Sequence, residues 1–541
     1  MSDPFKDVEE KAAVEQKLDP AVARWGKEID LAAKREKHYR KLARATQDLY
    51  ELKDTVDNTF NILYANTETL LPAVYNSSPR PIVERRFEDA DPLAKCAADT
   101  VERSLSYLCD SNSDEYESYH SLFRQATLGG LVVGRGVTWW SYDPQVKETA
   151  APDEEGEEDE DDDSEQENTG SLLPRKGKVV WETICGEDVA YSDFLHGYAR
   201  RWENVPWVAR KHEMTEEDAK LNFKPEVVAK MKFTKPSAQE DDAKKKHEDA
   251  EEDNQGAVDT AVVWEIWEKA TKKVFFYHPE LKEQLCKTAA DPFGLSGFFP
   301  CYRPLHFVKK LSTLTPTPPY EAYKVQAREL NKITLRINRV VNALKVRGFY
   351  DGTIQGLKEL LNADDNTIIA AKNVVGLQDG KNLQNSIWLM PLESLINVLN
   401  ELYAAQERCK NTIYEITGIS DIMRGDTQAS ETASAQNLKS KWGTQRLQNM
   451  QGAAQDYIRG CLRIVAELAS AHFSVETFAA MTNLDYATPQ QVQQAQMSLQ
   501  QAQATLQKVQ QGVQQVQGQI QAMQQPAPPP QPGAPMGAPP A

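Results

Sequence analysis

Ten apolar residues near the end of the chain, Val492, Ala495, Leu499, Ala502, Leu506, Val509, Val513, Val516, Ile520 and Met523, follow one another at steps of three and four without a break. That is a heptad seam sustained over more than four heptads, the pattern of a helix that packs lengthwise on other helices. Thr488-Pro489-Gln490-Gln491 opens it with a Thr at the N-cap, Pro at the first helical position and Gln at the third. The spacing predicts one helix over 489–525, about 55 Å long at 1.5 Å per residue. Its flanks are mostly Gln and Lys508 is its only charge, so ion pairs cannot choose its partner. Burial against the same helix of neighbouring subunits, as a parallel α-barrel, is the expectation; a Gln-rich segment without fixed structure is the alternative. Gly512 and Gly518 lie off the seam and cost about 1 kcal/mol each. Pro526 stops the pattern, and PAPPPQPGAPMGAPPA reads as a disordered tail.

The remainder is long enough for several domains: the chain has 541 residues. Its net charge of −18 is unevenly spread. The run DEEGEEDEDDDSEQE at 153–167 carries twelve acids and no base, and the rest of the chain comes to about −6. Such a run repels itself, so the insertion 147–175 is expected to be a disordered, solvated loop, with docking of a basic partner as the other reading. The seven cysteines are scattered singly from Cys96 to Cys461 with no CxxC pair, which fits a reducing cytoplasmic compartment rather than a disulfide framework. No run of 18 apolar residues occurs and the first residues lack an apolar core, so neither a spanning helix nor a signal peptide is expected.

Periodicity predicts a long helix over 20–72, broken by Pro72 and the Ser77–Pro81 segment. A second helix is predicted over 91–128, with Gly129-Gly130 as punctuation. Strands are predicted at 131–143 and 178–194, charged helix at 211–257, and a β-hairpin at 261–278 closed by the Pro/Gly-bearing stretch 291–304. After the proline linker 313–320 comes a helix over 320–345. Tyr323, Ala327, Leu330, Ile337, Val341 and Leu344 share one of its faces. Strands at 366–376 and 385–390 and helices at 391–417 and from 429–451 toward His472 complete the reading. The fold class is α+β, mostly α-helical.

Motifs of catalysis are missing. There is no GxxxxGK[ST], HExxH or GxSxG, and no Cys/His cluster at zinc spacing. GGLVVGRG at 129–136 reads as a structural turn rather than a phosphate loop. The neighbouring carboxylates Glu187-Asp188 and Asp364-Asp365 read as solvated loop residues. No cofactor or metal is expected. On the helix 320–345, by contrast, Lys324, Arg328, Lys332, Arg336 and Arg339 form a basic stripe at spacings of four, four, four and three. Like charges so placed repel by a few tenths of a kcal/mol per pair. The stripe is either a solvated face or a surface that meets an anion, such as a phosphate backbone or a neighbour's acids.

Four segments together resemble the portal proteins of tailed bacteriophages. NILYANTETLLPAVYNSSPRPIV (61–83) is similar to the family's early helix and Pro-x-Pro strand, and GRGVTWWSYD (134–143) to its glycine-then-strand wing element. CGEDVAYSDFLHGYARRWENVPWVARKHEMTEEDA (185–219) resembles the wing segment. ITGISDIMRGDTQASETASAQNLKSKWGTQRLQ (416–448) is the most specific match, with its Thr-Gly-Ile-Ser, Arg-Gly, Glu-Thr-Ala-Ser and Arg-x-x-Gln elements in family order.

The resemblance implies a homo-oligomeric ring, usually a dodecamer, at one capsid vertex of the virion, assembled in the host cytoplasm. The ring would be the conduit for double-stranded DNA. Its implied partners are the large terminase subunit, the major capsid and scaffolding proteins and a tail adaptor protein, with no membrane. Carried over, the wing is 1–210, the first stem region 211–257, the clip 258–312 and the second stem helix 313–345. Wing strands and a tunnel loop fall in 346–390, wing helices in 391–475, the crown in 476–525 and the tail in 526–541. The basic stripe then lies in the stem, facing the channel or acids of 211–253. Two other classes stay open on the residues alone: a neck or adaptor protein of the virion, and an enzyme with an unrecognised site.

Overall fold

A computed structural model describes residues 19–53, 60–85, 91–111, 116–147, 178–234, 258–343, 348–350, 387–389, 393–419, 433–484, 486 and 489–523. They combine helices with small antiparallel sheets, an α+β arrangement. The chain divides into two compact units, Met1–Ser474 and Val475–Ala541.

The first unit begins with helix α1 (Pro20–Tyr50), capped by Asp19, whose carboxylate accepts from the Ala21 N–H at 2.8 Å. The helix expected over 20–72 is two helices. Leu52 takes a φ of 60°, and α2 (Ile62–Val74) starts afresh where the Asn61 side chain accepts from the Tyr64 N–H. Asn61 also donates to the Leu49 carbonyl at 2.7 Å, tying the end of one helix to the start of the next. Pro72 does not stop α2. It sits one turn from the end, where few helical bonds remain to be lost.

The helix expected over 91–128 is also divided, into α3 (Pro92–Asp110) and α4 (Tyr119–Val132), because Ser118 caps a new start. Gly129 and Gly130 lie inside the last turn of α4 rather than after it. The Gly129 carbonyl accepts from the N–H groups of Val133, Gly134 and Arg135, and the chain turns at Gly134, with φ +84°. That left-handed conformation is one L side chains rarely adopt. A side chain at Gly136 would stand 1.9 Å from the Ala126 carbonyl oxygen, so the turn packs back on its own helix.

Strand β1 (Thr138–Lys147) pairs antiparallel with β2 (Lys178–Asp188). This ribbon carries the acidic insertion, whose residues 148–177 lie outside the described residues. Tyr119 of α4 packs edge-on against Trp140 of β1 at 4.9 Å and donates to the Ile184 carbonyl of β2. The five-stranded sheet is an antiparallel meander: β3 (Phe194–His196), β4 (Trp207–Thr215), β5 (Thr260–Glu268), β6 (Lys273–Tyr277) and β7 (Lys287–Ala290), paired in that order. The hairpin expected at 261–278 is therefore present, as β5 and β6. Residues 211–215, expected to be helical, are the second half of β4, with Lys211 opposite Trp264 and Thr215 opposite Thr260. Two short helices, α5 (Glu216–Asn222) and α6 (Pro225–Val228), follow, and residues 235–257 lie outside the described residues. The edges drawn at 210 and 258 thus fall on paired strands of one sheet.

Alternation along β4 and β5 explains the layers. Trp207, Ala209, Trp264 and Ile266 face α1, where Trp25 and Ile29 are buried among them. Each large apolar side chain enclosed there contributes roughly 1.5–3 kcal/mol. Arg210, Glu265 and Trp267 face the other way, beside Trp139 of β1.

The second half of this unit is helical. α7 (Lys324–Ala343) follows a short 3-10 turn, Pro319–Ala322. Strand β8 (Gly348–Tyr350) pairs with β9 (Ile387–Leu389), inside the strand expected at 385–390; the strand expected at 366–376 lies outside the described residues. α8 (Glu393–Thr417) and α9 (Ala433–His472) match the two helices expected there. Tyr457 of α9 donates to the Thr138 hydroxyl at 2.8 Å, fastening α9 to β1. The second unit holds α10 (Val475–Thr482) and α11 (Pro489–Met523), the latter 35 residues long.

Candidate functional site

Two surfaces expected from the sequence stand on described helices. The first is the basic face of α7. Tyr323, Ala327, Leu330 and Ile337 are buried, the first three in a core shared with Ile62 and Leu63 of α2 and Cys409 and Ile413 of α8. Two polar contacts fix the rotation of the helix. The Phe60 N–H donates to Asn331 Oδ1 at 2.9 Å, and Gln406 Nε2 donates to Thr334 Oγ1 at 2.9 Å. At about 100° per residue, Arg328, Lys332, Arg336 and Arg339 then occupy an arc of roughly 80° on the opposite side.

All four are exposed and make no ion pair among the described residues, with Arg328 and Arg339 about 17 Å apart along the axis. Lys324 differs: its ammonium is tied to Glu321 at 2.5 Å. Val341, expected on the apolar face, is 46% exposed because it lies beyond the buried stretch of the helix, and Leu344 lies outside the described residues. The described acids of 211–253 include Glu213 and Glu216, which pair within the chain with Lys211 and Lys220. Within one chain they leave the α7 row unneutralised.

The second surface is the seam of α11. Leu499, Leu506, Val509, Val513, Val516 and Ile520 are each 49–60% exposed, and Val492 stands in the first turn of the helix. A row of this length left open to water is the mark of a surface that meets another molecule.

Sequence reasoning missed the ionic groups inside the first unit. Arg135, in the glycine turn after α4, donates from both terminal nitrogens to the Glu36 carboxylate of α1, at 3.0 and 2.5 Å. Burial alone pushes the Glu36 carboxyl up, but Arg135, with His196 and Arg40, outweighs it and holds the group below its ordinary value. Burial, and then the Arg135 charge, push the nearby His196 down to about 4, so it is neutral at pH 7. On the sheet, Glu265 accepts from Arg210 at 2.9 Å and from the Trp267 indole at 2.7 Å. Against the push of burial, these partners and His212 hold Glu265 down at about 2. Both clusters position helices and strands.

Other candidates from the sequence stay structural. Glu187 and Asp188 are successive strand residues and face opposite sides of the ribbon. Glu187 is bound to Arg210 at 2.5 Å. Asp364-Asp365 lie outside the described residues. Gly129–Gly136 form the turn around Arg135. Among the described residues no group of three or more His, Cys, Asp or Glu side chains could hold a metal ion, and no helix is long and apolar enough to cross a membrane.

No family model matches the chain, and no curated protein matches it.

Proposed function

We propose that the chain is the portal protein of a tailed bacteriophage. It forms a ring at one capsid vertex through which double-stranded DNA is packaged and ejected, and on which terminase and tail proteins dock. The observation that carries this reading is the α11 seam: one apolar row along a 35-residue helix, open to water in the single chain. Such a row demands helices of other copies. A closed ring is the arrangement in which every copy gives and receives the same contact. The order of the portal-like segments over 61–448 agrees with it.

The α7 row fits the same reading. Four cations on a helix pinned from behind are poised for an anionic partner: DNA phosphates in the channel or acids of the adjacent subunit. A conduit must let DNA slide, and each firm phosphate contact adds affinity, so a short row suits it better than a continuous basic lining. No step of this function requires bond chemistry by the protein.

Mass measurement and negative-stain imaging of the purified protein test the reading. The expected particle has about twelve copies of the 60.8 kDa chain, roughly 730 kDa, with a central hole. A monomer at every salt concentration would overturn the ring. A solid or open assembly would favour a neck or adaptor component instead. Mg²⁺-dependent cleavage of DNA by the purified protein would turn the reading toward a nuclease.

A further inference from the structure

A shallow groove of about 490 Å³ runs along α1, where a stripe of the helix from Val22 to Lys34 faces Tyr277 and Lys282. Its floor is tight at Gly26, where a Cβ would stand 2.9 Å from the Tyr277 hydroxyl. Leu31 is 49% exposed on its α1 wall. Lys27, Lys34 and Lys282 surround it, all exposed and none in an ion pair among the described residues; Asp30 is the one acid in the lining. The groove thus presents an apolar strip between cations.

The described chain begins at the mouth of this groove. The Asp19 N–H donates to the Lys282 carbonyl at 3.4 Å, so residues 1–18 leave the fold beside a lining residue. Their sequence, MSDPFKDVEEKAAVEQKL, has the complementary chemistry. At helical spacing, Phe5, Val8 and Ala12 share a face, and Glu9 and Glu15 flank it on either side.

We propose that residues 1–18 fold back into this groove as the second arm of a helical hairpin with α1. Residues 6–17 as helix would be about 18 Å long, the same as the stretch from Val22 to Lys34, and Lys17–Asp19 would supply the short connection. The antiparallel register brings Phe5 beside Leu31 and sets the small Ala12 opposite Gly26, where Tyr277 leaves least room. Glu9 and Glu15 meet the lysines, and Lys6 or Lys11 meets Asp30. Attachment at Asp19 gives the segment an effective concentration of order millimolar, which favours the chain's own segment over another copy's.

The test compares the full chain with one lacking residues 1–18, by acetylation of lysines read by mass spectrometry. Lys27, Lys34 and Lys282 are expected to react several-fold faster after truncation, while Lys95 on α3 is unchanged. Phe5→Asp with Val8→Asp in the full chain should do the same, with unchanged circular dichroism. A photoreactive residue at position 5 should cross-link to α1 within the same chain. Equal acetylation of the two proteins would overturn the proposal. So would cross-links that appear only in species of twice the mass, which would assign the groove to a second copy.

Discussion

Glu36 and Arg135 are 99 residues apart in sequence and share a bidentate pair in the interior of the first unit. Each alone would be a buried charge of several kcal/mol cost, and their pairing joins α1 to the turn that leads into β1. Tyr39, one turn along α1, lies under the Arg135 guanidinium at 4.8 Å, which adds to the enclosure. Arg135→Met removes one partner and leaves the Glu36 carboxylate buried without compensation. A loss of about 3–5 kcal/mol is expected, read as a lower urea midpoint. The double variant with Glu36→Leu should recover part of that loss, because both charges are then gone. If the single variant is as stable as the natural chain, the pair does not hold α1. None of this is legible in the sequence. An ion pair between distant residues leaves no period, and Arg135 between two glycines marks only a turn.

At the scale of elements, periodic segments were readable and charged or short ones were not. The β5–β6 hairpin, α7, α8 and α9 follow from alternation or helical spacing. The end of β4 does not: Lys211, His212 and Glu213 carry no apolar alternation, and pairing with β5 overrides their local preference. The breaks after α1 and α3 depend on single caps, Asn61 and Ser118, within otherwise helical composition. The basic row of α7 was readable as a row, but its orientation depends on the α8 contacts. That orientation gives a prediction. Lys332→Glu with Arg336→Glu alters only exposed positions, so thermal stability of the folded chain should change by no more than about 0.5 kcal/mol. Ring stability or DNA retention should fall, and the dependence of assembly on salt should change. Unchanged assembly and unchanged DNA retention would make the row a solvated face.

For the whole molecule, the unresolved balance lies in α11. Its 35 residues make a rod of about 52 Å whose apolar row has water on it in the single chain. Helix propensity alone holds such a segment weakly: Gln and Ala favour it, Gly512 and Gly518 each oppose it by about 1 kcal/mol, and most helical stability comes from packing. A lone α11 is therefore marginal, and α11 in a ring is not. Seam residues supply the difference, so helicity and assembly must be coupled. Leu499→Asp with Leu506→Asp places two charges in the middle of the row, where burial of each is prohibitive without a partner. The expected result is a ring that still forms through the first unit but has lost axial length and helical circular dichroism, much as after deletion of 489–541. Dilution of the natural protein below its assembly threshold should also reduce the helical signal, whereas the doubly substituted protein should show no such concentration dependence. If the substituted rings keep their full helical signal, neighbouring copies do not bury the seam.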